Sequence, residues 1–267
     1  MFKMKNFTIL LLLLIVFESC SPYNKVLNKG TVVEKYKMAT DLYQAEKFSK
    51  ALRLFEIIAP AYKGKPQMER IQYMIAQSYF NTKDYFNAVY YFERFAKNYP
   101  KSSKREEADF MVAKSHYLFS PKYSLDQKET KKALESSQRY INVYPNSKRL
   151  SEANEMVKKL EYKLETKSFE IAKQYYEIGY YKAAITSFDN LTSEFFGTNY
   201  REAAFYYKLK ATYELGMRST YRKKAMRLKI AIKAYDKLKR NYPMSKYLEE
   251  SDKLLKDLKK EQEILNT

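Results

Sequence analysis

Beyond residue 30 the apolar residues recur at intervals of three and four, the period of a helix with one buried face. A slower rhythm lies over that one. The segment Glu69–Pro100 reads ERIQYMIAQSYFNTKDYFNAVYYFERFAKNYP; counted from Glu69, Ala76 is eighth, Tyr79 eleventh, Tyr85 seventeenth, Ala88 twentieth, Phe92 twenty-fourth and Pro100 thirty-second. Small residues at eight and twenty let two antiparallel helices approach, large ones at eleven and twenty-four fill the space beside them, and proline closes the second helix. A first copy begins near Val32, with Ala39, Phe48, Ala51 and Phe55 at eight, seventeen, twenty and twenty-four. A fourth begins near Glu165, with Ala172, Tyr175, Tyr181, Ala184 and Phe188. In these three copies the alanines are 12 apart; in the third (Ala113, Ala133) and fifth (Ala211, Ala231) they are 20 apart, which predicts about eight extra residues between or within those helices. Three copies end alike, in NYPKS, VYPNS and NYPMS, while the fourth ends in a degenerate EFFGTN and the first, at APAYKGKP, lacks the proline at that place.

This spacing resembles the tetratricopeptide repeat. It predicts an all-α, superhelical array of about five tetratricopeptide-like helical hairpins. Repeats one to three fall in residues 32–148, and repeats four and five in residues 149–267. Arg149–Gly179 lacks a helix breaker before Gly179 and predicts one long linking helix. Met244–Leu265, with Leu248, Leu254, Leu255 and Leu258 at helical spacing, predicts a capping helix with a polar outer face. Gly and Pro number only 5 and 7, too few for a hairpin-rich β fold or a Gly-rich phosphate loop. Tryptophan is absent, so the 27 Tyr and 16 Phe must supply most of the large buried side chains.

The first residues, MFKMKNFTILLLLLIVFESC, change the picture of where the chain works. Lys3 and Lys5 precede an apolar run, Phe7–Phe17, that is too short to span a bilayer comfortably. This is the pattern of a secretory signal peptide over residues 1–19. It ends at Cys20, the single cysteine of the chain. A cysteine in that place resembles the lipobox of bacterial lipoproteins, whose thiol takes a diacylglycerol; Ser19 fits the position before it, whereas Phe17 and Glu18 depart from the usual Leu and small residue. Cys20 is thus the expected lipidation site, and residues 20–31 the lipidated linker. Acyl chains such as palmitate hold a protein to a membrane through about 0.8 kcal/mol per buried methylene.

The net charge of +19 favours acidic partners, but no basic arm is set apart and secretion argues against nucleic acid. The chemistry of an enzyme is missing. His116 is the single histidine and lies inside a repeat helix, so neither a zinc site nor a Ser–His–Asp set assembles around it. No catalytic residue, metal or cofactor is expected.

The lipobox-like Cys20, the five repeats, the long central helix and the basic capping helix together resemble the BamD family, most tellingly in AKQYYEIGYYKAAITSFDNL (residues 172–191). The resemblance implies a lipoprotein of the outer-membrane β-barrel assembly machinery, on the periplasmic face of the outer membrane. Its N-terminal repeats would receive unfolded outer-membrane proteins, and its C-terminal repeats would dock on the barrel-forming subunit. In tetratricopeptide arrays, positions five and twelve of the first helix tend to face a concave groove. Here position five carries Tyr36, Tyr73, Phe110 and Phe169, and position twelve carries Tyr43, Phe80, Tyr117 and Tyr176, with polar Gln44, Gln77 and Asn81 between the rings. Tyr36, Tyr43, Tyr73, Phe80, Phe110 and Tyr117 are the candidate client-groove residues. The ladder breaks in the fifth repeat at Lys208 and Leu215. Family members carry an arginine in a setting like that of Arg201, where it meets an acidic residue of the barrel subunit; Arg201 and Lys208 are the candidate docking residues. Two other readings use the same scaffold: an envelope or cell-wall adaptor lipoprotein, and a repeat lipoprotein that binds a peptide or glycan for uptake.

Overall fold

The computed structural model describes residues 22–266; the expected signal peptide and Cys20 lie outside the described residues. The described chain is all-α. Its helices are α1 (Pro22–Lys29), α2 (Val32–Gln44), α3 (Phe48–Ile58), α4 (Gln67–Asn81), α5 (Tyr85–Asn98), α6 (Arg105–Phe119), α7 (Lys128–Val143), α8 (Leu150–Glu177), α9 (Tyr181–Glu194), α10 (Arg201–Met217), α11 (Tyr221–Asn241) and α12 (Leu248–Asn266), with a 3₁₀ turn at Ala59–Tyr62. Successive helices pack as hairpins, α2 with α3, α4 with α5, α6 with α7 and α10 with α11, while α12 covers α10 and α11.

The repeat register holds to the residue. All ten alanines at positions eight and twenty, from Ala39 to Ala231, are fully buried. Phe55, Phe92 and Phe188 at position twenty-four are equally enclosed. Tyr175, at position eleven of the fourth repeat, departs from its expected filling role: it is 37% exposed. The extra residues of the two longer repeats take different forms. In the third they make the 120–127 connection between α6 and α7; in the fifth they lengthen the helices, α11 reaching 21 residues against 14 for α5. Part of the segment expected as linker is structured: α1 buries Leu27 against the first repeat, and the Lys50 ammonium lies 5.3 Å from the Tyr23 ring centre.

Three hairpins turn the same way. Glu46, Lys83 and Gly179, each seven residues after a position-eight alanine, have φ of 57°, 63° and 81°. The next residue's N–H reaches back over the left-handed residue to the helix, as Asp84 N–H does to the Tyr79 carbonyl at 3.0 Å and Tyr180 N–H to the Tyr175 carbonyl at 2.9 Å. That is a Schellman closure, which glycine adopts without strain and Glu46 and Lys83 do not. The α2 start is fixed by a capping box, Thr31 and Glu34 bonding each other's backbone N–H.

The recurrent serine at the repeat ends has a physical role. Ser102 Oγ donates to Glu69 Oε1, Ser147 Oγ to Glu106 Oε1 and Ser245 Oγ to Glu202 Oε1, each at 2.6 Å. Each acceptor stands at the start of its own repeat's first helix, so the bond ties the end of a hairpin to its beginning. Each serine also accepts a backbone N–H two residues on, at 3.0–3.1 Å. The degenerate fourth ending does the same with another residue: Thr198 Oγ1 donates to Glu165 Oε2 at 2.8 Å and accepts Tyr200 N–H at 3.1 Å.

Contacts divide the chain into two compact units. The first holds residues up to Ser120 and Lys128–Val157; the second holds Pro121–Gln127 and the chain from Lys158 on. The 28-residue α8 begins in the first and ends in the second. Its Ala153 and Met156 join the first unit's core with Phe92, Phe95 and Tyr140, and its Phe169 and Ala172 join the second unit's core with Ala184, Phe188 and Leu191.

Candidate binding surfaces

In the first unit, the C-terminal end of α2, the exposed side of α4 and the residue before α6 enclose an open cavity of about 470 Å³. Tyr43, Gln44, Pro66, Glu69, Arg70, Tyr73, Met74, Phe95 and Lys104 line it. Helical spacing puts Glu69, Arg70 and Tyr73 on one side of α4, and the hairpin turn after α2 brings Tyr43 opposite. The two tyrosines are held from behind: Tyr43 lies edge-on to Phe48 and Phe55 at 5.5 and 6.4 Å, and Tyr73 edge-on to Phe95 at 5.2 Å. Gln77 Nε2 donates to the Tyr73 hydroxyl at 2.8 Å. Burial raises the pKa of both hydroxyls, and the neighbouring Glu107 carboxylate adds to the effect, so both stay neutral donors.

The charges around the cavity are unequally engaged. Lys104 forms a 2.9 Å ion pair with Glu107 and lies 5.4 Å from the Tyr73 ring centre. Burial works against the Glu107 carboxylate, but its bonds to Lys104 and Tyr73 outweigh burial and lower its pKa. Arg70 is exposed and has no ion-pair or hydrogen-bond partner among the described residues. The cavity therefore offers two rigid rings, amide and hydroxyl groups, and one free guanidinium. Such a surface suits an extended segment with aromatic side chains and acceptor groups.

The other ladder positions lie elsewhere. Tyr36 is half-buried beside Tyr62, ring centres 5.3 Å apart. Phe80 is half-buried beside Tyr85 at 5.6 Å, and Tyr117 packs on the first unit's core. Phe110 corrects the expectation of a continuous groove ladder: it is 3% exposed, edge-on to Tyr140 at 5.2 Å and flanked by Lys114 and Arg149, so its ring is core. His116 borders a different cavity of about 370 Å³ with Phe86, Tyr90 and Phe119. Its Nδ1 is buried without a partner, and burial lowers its pKa.

In the second unit Arg201 opens α10. Its Nη1 donates to the Thr192 and Phe196 carbonyls, both at 3.2 Å, and its guanidinium lies 5.3 Å from the Phe196 ring centre and 5.5 Å from that of Phe205. Phe196 is 80% exposed. A flat, pre-oriented guanidinium beside an exposed ring can take a carboxylate through its remaining donors. Lys208 is engaged inside the unit by Asp189 at 2.5 Å. Sequence reasoning missed Arg70 and Phe196; the aromatic ladder drew attention to rings alone, although Phe196 stands in a repeat ending where three other copies carry proline.

Among the described residues no cluster of three or more metal-ligating side chains occurs, and no helix is long and apolar enough to cross a membrane.

The fold and these surfaces define a tetratricopeptide-like repeat scaffold. A model of the outer membrane lipoprotein family YfiO matches residues 28–228, and the chain belongs to that family. No curated protein matches it significantly. Solved structures similar to it include two of nearly identical TPR-like repeats from Podosopora anserina, at 13% and 14% identity; each aligns over 78% of this chain and 96% or 97% of its own, with a TM-score of 0.33.

Proposed function

We propose that the chain is a lipid-anchored scaffold of the β-barrel assembly machinery on the periplasmic face of the outer membrane, attached through Cys20. Its first unit holds segments of unfolded outer-membrane proteins at the Tyr43–Tyr73 cavity. Its second unit docks the barrel-forming subunit through Arg201 and Phe196. The observation that carries the reading is the cavity itself: ordered rings and a free Arg70, in a member of an outer membrane lipoprotein family. The resemblance of residues 172–191 to the BamD family supplies the assembly role.

Two assays on each of two variants test it. Tyr43→Ala with Arg70→Ala should weaken capture of unfolded outer-membrane-protein segments while the barrel subunit still docks. Arg201→Glu should abolish docking and leave segment capture intact. Circular dichroism verifies that each variant is folded. A folded Arg201→Glu that docks normally, or a cavity variant that captures segments normally, refutes the corresponding half.

A further inference from the structure

Helix α11 reads YRKKAMRLKIAIKAYDKLKRN, nine Lys and Arg against a single Asp. Residues 121–127 and 158–267 together carry 25 basic and 16 acidic side chains, so α11 supplies nearly all of that unit's positive surplus. Five of the nine cations share one side of the helix. Leu228, Ala231, Tyr235 and Leu238 form the buried side. Opposite them run Arg222, Met226, Lys229, Lys233, Lys237 and Arg240, all exposed. At 100° per residue these six fall within about 80° of arc, and at 1.5 Å per residue they extend over about 27 Å.

Of the four cations off the stripe, Lys223 is exposed and the other three have partners within the unit. Lys224 pairs with Glu261, Arg227 Nη1 donates to Ser219 Oγ at 2.7 Å, and Lys239 Nζ donates to the Tyr235 hydroxyl at 3.0 Å. On the stripe, Lys237 lies 5.1 Å from the Phe205 ring centre. Arg222, Lys229, Lys233 and Arg240 make no ion pair or hydrogen bond among the described residues. Like charges one helical turn apart repel, so the row weakens the isolated helix. Two apolar side chains accompany the row on the same exposed side: Met226 within the stripe at 60% exposure and Ile230 at its edge at 46%.

We propose that this face of α11 is a membrane-surface site that binds the phosphates of anionic lipid headgroups, with Met226 and Ile230 entering the interfacial layer. The cations stand in a line along an exposed helix face instead of converging on one point. That arrangement fits a two-dimensional array of phosphates and not a single enclosed anion. The apolar side of α11 is packed in the core, so attraction between this row of cations and a negatively charged bilayer surface would supply most of the binding, with shallow apolar contact added. The outer membrane lipoprotein family puts a membrane within reach of the chain, and each lysine or arginine near an anionic membrane surface adds attraction. The inference rests on family membership and on α11 alone, and holds whether or not the chain acts in barrel assembly.

Flotation of the full chain carrying Cys20→Ala, which removes any acyl contribution, tests the site with phosphatidylcholine vesicles and with vesicles that also contain phosphatidylglycerol. Binding should rise with phosphatidylglycerol and fall with added salt. Lys229→Gln with Lys233→Gln should weaken the phosphatidylglycerol-dependent part roughly 25-fold, about fivefold per charge removed. Lys97→Gln with Lys101→Gln, the same charge change on exposed residues of the first unit, should leave it unaltered. Equal binding to both kinds of vesicle, an undiminished α11 variant that circular dichroism shows to be folded, or an equal loss in the control overturns the proposal. So does a polyglutamate peptide that binds this face while vesicles do not, which would make the site one for acidic polypeptides.

Discussion

Position five carries an aromatic ring in both the first and the fourth repeat, yet Tyr36 and Phe169 have opposite surroundings. Tyr36 leans on Tyr62 and stays half-exposed, and further along the first unit Tyr43 and Tyr73 edge an open cavity. Phe169 is 6% exposed: Tyr200 stacks on it at 4.6 Å, and Tyr207 meets it edge-on at 5.9 Å while stacking on Phe188 and touching Tyr176. The rings hold equivalent places in their hairpins; the following hairpin decides what covers them. In the second unit, α10 and the residue before it contribute tyrosines that fill the space. In the first, α4 contributes Arg70 and Tyr73 to a surface left open. A repeat thus sets where a side chain points, and its neighbour sets whether a ligand can reach it.

The comparison is sharpest in stability. Phe169→Ala should cost about 3–5 kcal/mol, as for a fully enclosed phenylalanine, whereas Tyr36→Ala should cost less than half of that. Denaturant midpoints measure both, and equal losses would erase the distinction between a sealed and an open ladder. Next come the end-to-start ties, which the two units share. Ser147→Ala and Thr198→Val each remove a hydrogen bond to a carboxylate and should cost about 1.5–3 kcal/mol. A neutral Thr198→Val would mean that the fourth ending is degenerate in function as well as in sequence. Smaller effects belong to the left-handed turn. Gly179→Ala should cost about 1–2 kcal/mol through backbone strain alone, since a Cβ there meets nothing within 4 Å. Lys83→Gly should gain up to about 1 kcal/mol, and a loss would show that the lysine side chain compensates its backbone.

The smallest expected effect is alkaline. Burial, with the Asp109 carboxylate beside Tyr144 and the Glu250 carboxylate beside Tyr206, raises each hydroxyl to about 12. An unfolded tyrosine ionises near 10, so the stabilisation is complete below pH 10 and fades as pH climbs toward 12. Tyr144→Phe and Tyr206→Phe should each flatten the fall in melting temperature between pH 10 and pH 12. An unchanged slope in one unit alone would locate the alkaline sensitivity in the other.

The hairpins were legible because their signal is local and steric. Alanine at eight and twenty is required wherever two helices nearly touch, and each such alanine is buried. The long helix of residues 150–177 was legible for want of a breaker. The endings were recognised as a motif, but their function was not, because the bond joins Ser147 to Glu106 across 41 residues and serine gives way to threonine at 198. The groove was only partly legible. Phe110 and Tyr73 occupy the same position in neighbouring repeats, and the close approach of Tyr140 made one of them core. The periodic ladder pointed at Lys208 and saw a break, while Tyr207, one residue earlier, fills the very space in question.

The 120–127 connection has a consequence for how such a chain could be divided. It leaves the first unit at Ser120, contributes Pro121–Gln127 to the second, and returns at Lys128 before α8 departs again at Val157. Gln127, almost wholly buried, gathers the loop by donating to the Lys122 and Leu125 carbonyls at 2.8 and 2.9 Å, and Lys167 Nζ reaches Leu125 O at 2.5 Å. No single crossover in the gene therefore exchanges one half for that of a relative. A recombinant joined at residue 148 or 157 would inherit the loop from one parent and Lys167 from the other. A chimera that keeps the loop with its own Lys167 therefore needs more than one junction, although each half has a core of its own.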